Sequence, residues 1–305
     1  MEYRILGKTG LKVSVIGLGG FGIGGGYLMN DQAIALRAIE TAFDLGINYY
    51  DTAPFVYGDS ELLLGRAHKG RRDAVILATK AENLDRVSVR ECVETSLRQL
   101  GTDYLDILQF RDPTPEGLAA SRFHETCVSL IEEGKLRFQA VTLGDSHQLE
   151  QGRWSISQDF PVMQLAYNLI FPEAEKEILP AAAAADIGVV SRGPLCKGFL
   201  ARRLLEKPDD IAAHPNFRWF TAEEAHSLLG IQRGLDFLEI PGQRTLAQAA
   251  IQFVIRHRAV STTIPGIETP EDACELVGAL DAPPLTDEEI LRARKVVGAW
   301  PAIDY

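Results

Sequence analysis

A closed barrel of eight parallel strands, each followed by helical sequence, is the fold this chain predicts, and three observations predict it. Short apolar runs rich in β-branched and aromatic residues alternate with longer segments of helical period almost to the end of the 305 residues. Eight such runs can be counted, the number that closes a parallel sheet into a (β/α)8, or TIM, barrel rather than leaving it open. The runs are apolar at successive positions, as strands covered on both faces must be. One barrel domain spanning residues 1–305 is the expected organisation.

In chain order, the first run is Val13–Leu18, which leads into the glycine-rich stretch from Gly19 to Gly26. Asp31 is placed to cap a helix reaching Leu45, with Ala33, Leu36, Ala38, Ile39 and Ala42 on its inner side and Gly46 to stop it. Ile47–Asp51 is the second strand. Val75–Thr79 precedes a helix over 87–100, and Tyr104–Phe110 precedes one over 119–133. Phe138–Thr142 precedes a short helix near His147–Gln151, and Val162–Leu165 precedes one over 173–185. Gly188–Ser191 opens into a long insertion with a helix starting near Thr221, after which Leu246–His257 is helical and Val260–Ile264 is the eighth strand. The alternative, an open doubly wound sheet, has a G-x-G-x-x-G signature that Gly17, Gly19 and Gly22 satisfy. Here that pattern runs on into further glycines instead of opening a helix, so it argues little for a dinucleotide turn.

Composition narrows the function. With 46% hydrophobic residues the chain can bury a large core, and its net charge of −11 opposes binding to nucleic acid or an anionic membrane. The charged N-terminus lacks the apolar segment of a secretory signal, and no apolar run approaches the roughly 20 residues of a membrane span. Cys92, Cys127, Cys196 and Cys274 are scattered without metal or disulfide spacing, which fits a reducing, cytoplasmic setting. His124, His147, His214, His226 and His257 lack ligand spacing too, and His68 with Lys69 ends a helix whose dipole they would meet.

In such a barrel, reactive groups stand at the C-terminal ends of the strands. That rule selects Asp51, Lys80, Arg111 with Asp112, Asn168 and Arg192, and Tyr57 lies in the loop just after Asp51. A carboxylate, a lysine and a tyrosine at one mouth make an acid–base device. A phenol ordinarily holds its proton far above neutral pH, an adjacent ammonium favours the phenolate, and a carboxylate keeps that ammonium charged and oriented. The tuned phenol can then give its proton to a carbonyl oxygen as hydride reaches the carbon. The plainer reading is a rim ion pair between Asp51 and Lys80 with Tyr57 packed beside it. In the long insertion, Arg192, Lys197, Phe199, Arg202 and Arg203 crowd the start, and Phe217, Trp219 and Phe220 follow. The insertion therefore reads as a pocket wall, with Trp154 a second aromatic candidate and Cys196 a small buried residue.

The chain as a whole resembles the aldo-keto reductase superfamily. YRILGKTGLKVSVIGLGGFGIGG is similar to the family's N-terminal β-hairpin and first barrel strand, and DTAPFVYGDSELLLGRAHKG to its most characteristic segment. ILATK, LIEEGKLRFQAVTLGD, QLAYNLIFPEAE, VVSRGPLCKGFL and STTIPGIETPEDACEL follow in the family's order. The resemblance implies reversible hydride transfer between NAD(P)H and a carbonyl, with Asp51, Tyr57 and Lys80 catalytic. On the cofactor side it implies Gly19, Gly20, Phe21, Thr142, Gln164, Arg192, Pro194, Leu195, Gly198, Gly266, Glu268, Asp272 and Glu275.

Two departures stand out. The family's catalytic histidine falls on Arg111, which is always charged and cannot act as an acid. It can still orient a carbonyl, stabilise an oxyanion or clamp a substrate carboxylate, or it can be a rim arginine paired with Asp112. Where the family grips the 2′-phosphate of NADPH with basic side chains, this chain has Ile267, Glu268 and Asp272, and Leu276 stands in place of the usual asparagine, which favours NADH. Two functions follow. One is an NAD-preferring oxidoreductase acting on a small molecule, with an acidic substrate group met by Arg111 and Arg192. The other is a redox-neutral lyase or isomerase that uses Tyr57 and Lys80 as its acid–base pair, with the cofactor lost or held without being consumed. A non-enzymatic subunit is a third class, opposed by the intact Asp-Tyr-Lys set.

Overall fold

The computed structural model describes residues 1–26, 31–82, 84–201 and 220–301. It begins with an antiparallel hairpin, β1 (Tyr3–Ile5) and β2 (Lys12–Ser14), and eight parallel strands follow. They are β3 (Leu18–Gly19), β4 (Tyr49–Asp51), β5 (Ile76–Ala81), β6 (Leu105–Arg111), β7 (Leu136–Thr142), β8 (Val162–Ala166), β9 (Gly188–Arg192) and β10 (Val260–Ile264). Each pairs with the next in sequence. The first and last then meet: Gly17 N donates to Thr263 O (2.7 Å), Thr263 N to Val15 O (3.0 Å) and Gly19 N to Pro265 O (2.9 Å), which closes the barrel.

Around it lie α1 (Gln32–Asp44), α2 (Ser60–Ala67), α3 (Val89–Leu100), α4 (Pro115–Ser121), α5 (Phe123–Glu132) and α6 (Gln148–Ser157). After these come α7 (Ile178–Ala184), α8 (Ala222–Gly234), α9 (Leu246–Ile255), α10 (Pro270–Val277) and α11 (Asp287–Gly298). None of the described helices is long and apolar enough to cross a membrane. Their starts follow local chemistry. Asp31 Oδ1 accepts from Ala33 N and Ile34 N (2.9 and 3.1 Å), and Ser88, Thr221, Thr245, Thr269 and Thr286 each form a reciprocal capping box.

Four expectations are corrected. The run Val13–Leu18 is not one strand: residues 12–14 belong to the hairpin, because Leu6, Leu11 and Val13 pack into the interior of the barrel, and only Leu18–Gly19 is a barrel strand. The helix expected over 119–133 is broken at Arg122, whose φ of 51° turns Phe123 into the core against Phe110 (ring centroids 5.1 Å apart). The helix expected over 173–185 is a short 3-10 turn, Glu173–Lys176, followed by α7. A continuous helix would place Pro180 in its interior; with the break at Glu177, Pro180 falls in the first turn of α7, where a missing N–H costs little. On α1 the buried residues are Ala35, Ala38, Ile39 and Ala42, while Ala33 faces solvent beside the cap.

Candidate active site

Strand periodicity builds the site. Successive side chains on a strand point to opposite faces, so residues two apart share one. The barrel interior contains Tyr49, Ile76, Ala78, Ile107, Ala140, Val162, Val190 and Ile264. Counting two residues onward along each strand brings Asp51, Lys80, Gln109 and then Arg111, Thr142, Gln164 and Arg192 into the same inner set. Polar residues of that parity occur toward the C-terminal ends and apolar ones toward the other end, so the interior changes from packed core to reactive mouth.

At that mouth Lys80 Nζ donates to Asp51 Oδ1 (2.5 Å) and to the carbonyl oxygen of Thr52 (2.9 Å). Asp51 Oδ2 accepts from Gln109 Nε2 and Gln164 Nε2, both at 2.7 Å. Gln109 Oε1 in turn accepts from Gln164 Nε2 (2.8 Å) and Thr142 Oγ1 (2.7 Å). Asp51 and Lys80 are each only 1% exposed, so this is a buried, fully engaged network in which bonds reinforce one another. Burial alone would lower the Lys80 ammonium, but Asp51 foremost and then Tyr57 overcome it and hold its pKa above the ordinary lysine value.

Tyr57 completes this arrangement from a loop. Lys80 Nζ lies 4.7 Å from the centre of its ring, and the Phe21 ring meets it edge-on at 5.3 Å. The loop is seated by glycine contacts. A Cβ on Gly24 would fall 1.7 Å from the Tyr57 carbonyl oxygen, and one on Gly58, whose φ is +52°, would fall 2.1 Å from Gly24 O. Gly17 and Gly19 serve the barrel seam: a Cβ on either would come within 3 Å of a backbone oxygen, Tyr49 O at 2.8 Å and Ile264 O at 2.9 Å. Two glycines of the apparent G-x-G-x-x-G signature are therefore a matter of close backbone packing, and the third, Gly22, lies against the Glu268 side chain. An ammonium held between a carboxylate and a phenol can assist proton transfer at the phenol oxygen.

Above this network opens a cleft of about 990 Å³, at the upper end of the usual range for small-molecule sites. Of the residues selected from sequence, Gly19, Phe21, Asp51, Tyr57, Arg111, Asp112, Gln164, Arg192, Lys197 and Gly266 line it. Arg111 Nη1 donates to Glu82 Oε1 (2.6 Å), so its partner is Glu82 and not Asp112. Asp112 instead accepts from Gln151 Nε2 (2.6 Å). Arg192 is held by the carbonyl of Leu143 (2.9 Å) and by Asp145 Oδ1 (2.5 Å).

Other expected site residues stand back from the cleft. Lys80 and Thr142 lie directly behind its wall in the Asp51 network. Gly20 packs against the β4 end, its would-be Cβ 2.7 Å from Asp51 O. Pro194, Leu195 and Gly198 form the loop after β9, with a turn over Cys196–Gly198. Asp272 Oδ2 accepts from the amides of Glu268 (3.1 Å) and Thr269 (2.9 Å), so this carboxylate caps α10. The Glu268 side chain packs over Gly22, bridging the loops after β10 and β3. Glu275 carries the carbonyl that receives Gln248 Nε2 (3.0 Å).

Asn168 is a loop-shaping residue, accepting from the amides of Ile170 and Phe171 (both 2.9 Å) and donating to Gly193 O (3.0 Å). His68 is buried against Tyr50 (ring centroids 4.3 Å apart), and burial, helped by Arg71 and Arg72, pushes its pKa down to about 3. A neutral ring in the core replaces the expected partner of a helix dipole. Cys196 is buried and its thiol pushed up by burial, which makes it inert. Trp154 packs toward Phe160 (6.2 Å) and not into the cleft, whereas Phe220 packs on Phe199 (5.5 Å) with Lys197 Nζ 4.8 Å from its ring. Arg202, Arg203, His214, Phe217 and Trp219 lie outside the described residues.

Sequence reading missed Gln109, Glu82 and Asp145. The first two carry a signal: Gln109 shares the inward parity of Ile107, and Glu82 stands two residues beyond Lys80. Asp145 has none, because its partner Arg192 is 47 residues away in the chain.

Known proteins match this architecture. The model of the aldo/keto reductase family matches residues 15–297. The aldo-keto reductase YhdN of Bacillus subtilis (strain 168) is 34% identical over 237 residues, covering 72% of this chain and 71% of its own. The NADH-specific methylglyoxal reductase of Escherichia coli (strain K12) is 28% identical over 310 residues, covering 90% of this chain and 92% of its own. Among solved structures, the holo form of aldo-keto reductase AKR11C1 from Bacillus halodurans superposes with a TM-score of 0.77 at 26% identity, covering 97% of this chain and 96% of that one. A closed barrel with an Asp-Lys-Tyr cluster at its mouth and a family match along nearly its whole length identify the chain as an oxidoreductase belonging to the aldo/keto reductase family.

Proposed function

We propose that this protein transfers hydride reversibly between a nicotinamide nucleotide and a carbonyl or alcohol, with Tyr57 as the general acid and base. The observation that carries the reading is the buried Lys80 ammonium, shared between the Asp51 carboxylate and the Tyr57 ring. The residues present suit such a nucleotide. The backbone at Gly19, Gly193 and Gly266, the Phe21 ring and the Arg192 guanidinium line one part of the cleft, together offering close backbone approach, an aromatic surface and a cation. When bound, the nucleotide supplies or accepts the hydride.

The chain's own residues handle the proton. In reduction, Tyr57 gives its hydroxyl proton to the substrate oxygen, and Lys80 stabilises the phenolate that results. Asp51 keeps Lys80 charged, and Gln109 and Gln164 fix the Asp51 carboxylate so that it does not rotate away. Arg111, one N–H of which is bound to Glu82, presents its remaining donors to the substrate oxygen. It lacks the proton-shuttling capacity of histidine, so Tyr57 carries the proton alone.

NADH is the proposed partner over NADPH. The stretch from Ile264 to Val277 contains no lysine or arginine and four carboxylates, Glu268, Glu271, Asp272 and Glu275, a poor surface for a phosphate dianion. The NADH-specific relative supports the same preference. An acidic substrate, which two bare arginines would suggest, is not part of this reading, because Arg111 and Arg192 each hold a carboxylate of the protein. Fluorescence titration with NADH and NADPH, followed by turnover of aldehydes, tests the proposal. Saturable NADH binding with turnover is expected. Failure of both nucleotides to bind overturns it, and activity that needs no nucleotide would favour lyase or isomerase chemistry instead.

A further inference from the structure

We propose that Glu82 is a specificity-determining residue: it cancels the charge of Arg111 and holds it in one orientation, so that the cleft accepts uncharged carbonyl compounds and discriminates against those carrying a carboxylate. The inference rests on the oxidoreductase reading for its substrate class, and on the geometry of the cleft for its charge argument.

The pair is unequal. The Glu82 side chain is 4% exposed and that of Arg111 is 50% exposed, so the carboxylate is the fixed anchor and the guanidinium the part that faces the cleft. The contact runs from Nη1 to Oε1 alone at 2.6 Å. Oε2 is buried without a hydrogen-bond partner among the described residues. A half-satisfied buried carboxylate is costly. Its charge gives it a purpose.

The rest of the wall points the same way. Its carboxylates are Asp51, Glu82, Asp112 and Asp145, and its cations are Arg111, Arg192 and Lys197, with Lys80 directly behind. Lys80 is spent on Asp51, Arg111 on Glu82 and Arg192 on Asp145. Among the described residues, with Lys197 and Asp112 counted, four cations face four carboxylates, so there is no surplus of positive charge to attract an anion, and the whole chain carries −11. An arginine without Glu82 would take a carboxylate in a two-pronged clamp. With Glu82 in contact, a substrate carboxylate must share the guanidinium with a like charge that burial prevents from moving aside, where low dielectric makes the repulsion strong. A neutral carbonyl oxygen needs only one free N–H and meets no such opposition.

The test compares butanal with succinic semialdehyde, two four-carbon aldehydes that differ by a terminal carboxylate, as NADH-dependent substrates of the wild type, Glu82→Gln and Glu82→Asp. The wild type is expected to favour butanal in kcat/KM. Glu82→Gln is expected to raise the ratio of succinic semialdehyde to butanal by about tenfold or more, and the gain should shrink in about 0.5 M salt. Glu82→Asp, which keeps the charge, should hold the wild-type ratio. A merely structural role would lower both substrates together, and an unchanged ratio in Glu82→Gln overturns the inference. So does a wild type that prefers succinic semialdehyde, whatever the variants do.

Calorimetric titration of succinate in the presence of NADH reads the same charge effect without turnover. Binding to Glu82→Gln should be about tenfold tighter than to the wild type, and equal affinities overturn the inference. If the wild type reduces neither aldehyde while succinate follows the expected pattern, the oxidoreductase reading falls and the role of Glu82 stands.

Discussion

Gly24 and Tyr57 touch through their backbones so closely that a single added Cβ on Gly24 would lie 1.7 Å from the Tyr57 carbonyl oxygen. The residue with the proposed proton-transfer role is thus seated by the loop after β3, a different part of the barrel mouth from its own.

Gly24→Ala should therefore act at a distance from its own side chain. The turn holding Tyr57 must move away, and a displacement of about 1 Å at a reacting group can cost on the order of 100-fold in rate. The expectation is a fall of that size in kcat with the melting temperature lowered by only a few degrees. Wild-type turnover in Gly24→Ala would show that this contact does not seat Tyr57.

Removing either member of the buried ion pair should affect folding as well as rate. Lys80→Met leaves the Asp51 carboxylate without its cation, and breaking such a pair typically costs about 3–5 kcal/mol. Loss of the ammonium beside Tyr57 should also lower kcat/KM by about 10²–10⁴-fold. Denaturant unfolding and steady-state kinetics measure the two separately. Asp51→Asn keeps the shape but leaves the Lys80 ammonium without its anion and sets an amide donor against either Lys80 Nζ or the two glutamine Nε2 groups, so its stability loss should be of similar size.

Two buried groups outside the cleft should shape the pH dependence of stability in opposite directions. His68 falls from 6.5 to about 3 through burial, so between those values the unfolded chain binds a proton that the folded one does not, and stability rises with pH. Glu61, whose Oε1 accepts from Thr79 (2.7 Å), is pushed by burial from 4.5 to about 7, so there the folded chain keeps a proton the unfolded one has lost, and stability falls with pH. Across the overlap, pH 4.5 to 6.5, the two slopes of up to about 1.4 kcal/mol per pH unit oppose one another. His68→Phe should leave the falling slope exposed and Glu61→Gln the rising one. Urea midpoints measured through this range check both, and variants that keep the wild-type profile would contradict the assignment.

Cofactor preference should respond to Glu268. Its side chain lies over Gly22 at the junction of two loops, and Glu268→Lys replaces a repelling charge with an attracting one without touching the α10 cap. The ratio of kcat/KM for NADPH over NADH should rise by about tenfold, and the rise should weaken with salt. Asp272→Arg makes a poorer probe, since it also removes the acceptor of two backbone amides, a loss of about 1 kcal/mol.

Much of this was legible in the chain because strand ends and parity are local properties. Asp51 and Lys80 could be placed by where their strands stop, and the eight runs declared the barrel before any pairing was known. What escaped reading depended on distance. The partner of Arg111 proved to be Glu82 on the adjoining strand's extension, and the partner of Arg192 proved to be Asp145, beyond the end of a strand once removed; each choice depends on how the strands are staggered around the barrel. The break at Arg122 and the hairpin's claim on Val13 likewise follow from where a large side chain finds room, a question of three-dimensional packing that periodicity does not answer.

The β1–β2 hairpin has a last implication. Leu6, Leu11 and Val13 fill the interior at the end opposite Tyr57, so the barrel is stoppered there. A ligand of the reacting groups therefore arrives and departs by the cleft at the other end. Two ligands that share one entrance queue: the deeper-seated one enters first and leaves last, and the traffic itself, before any chemistry, sets an order of binding.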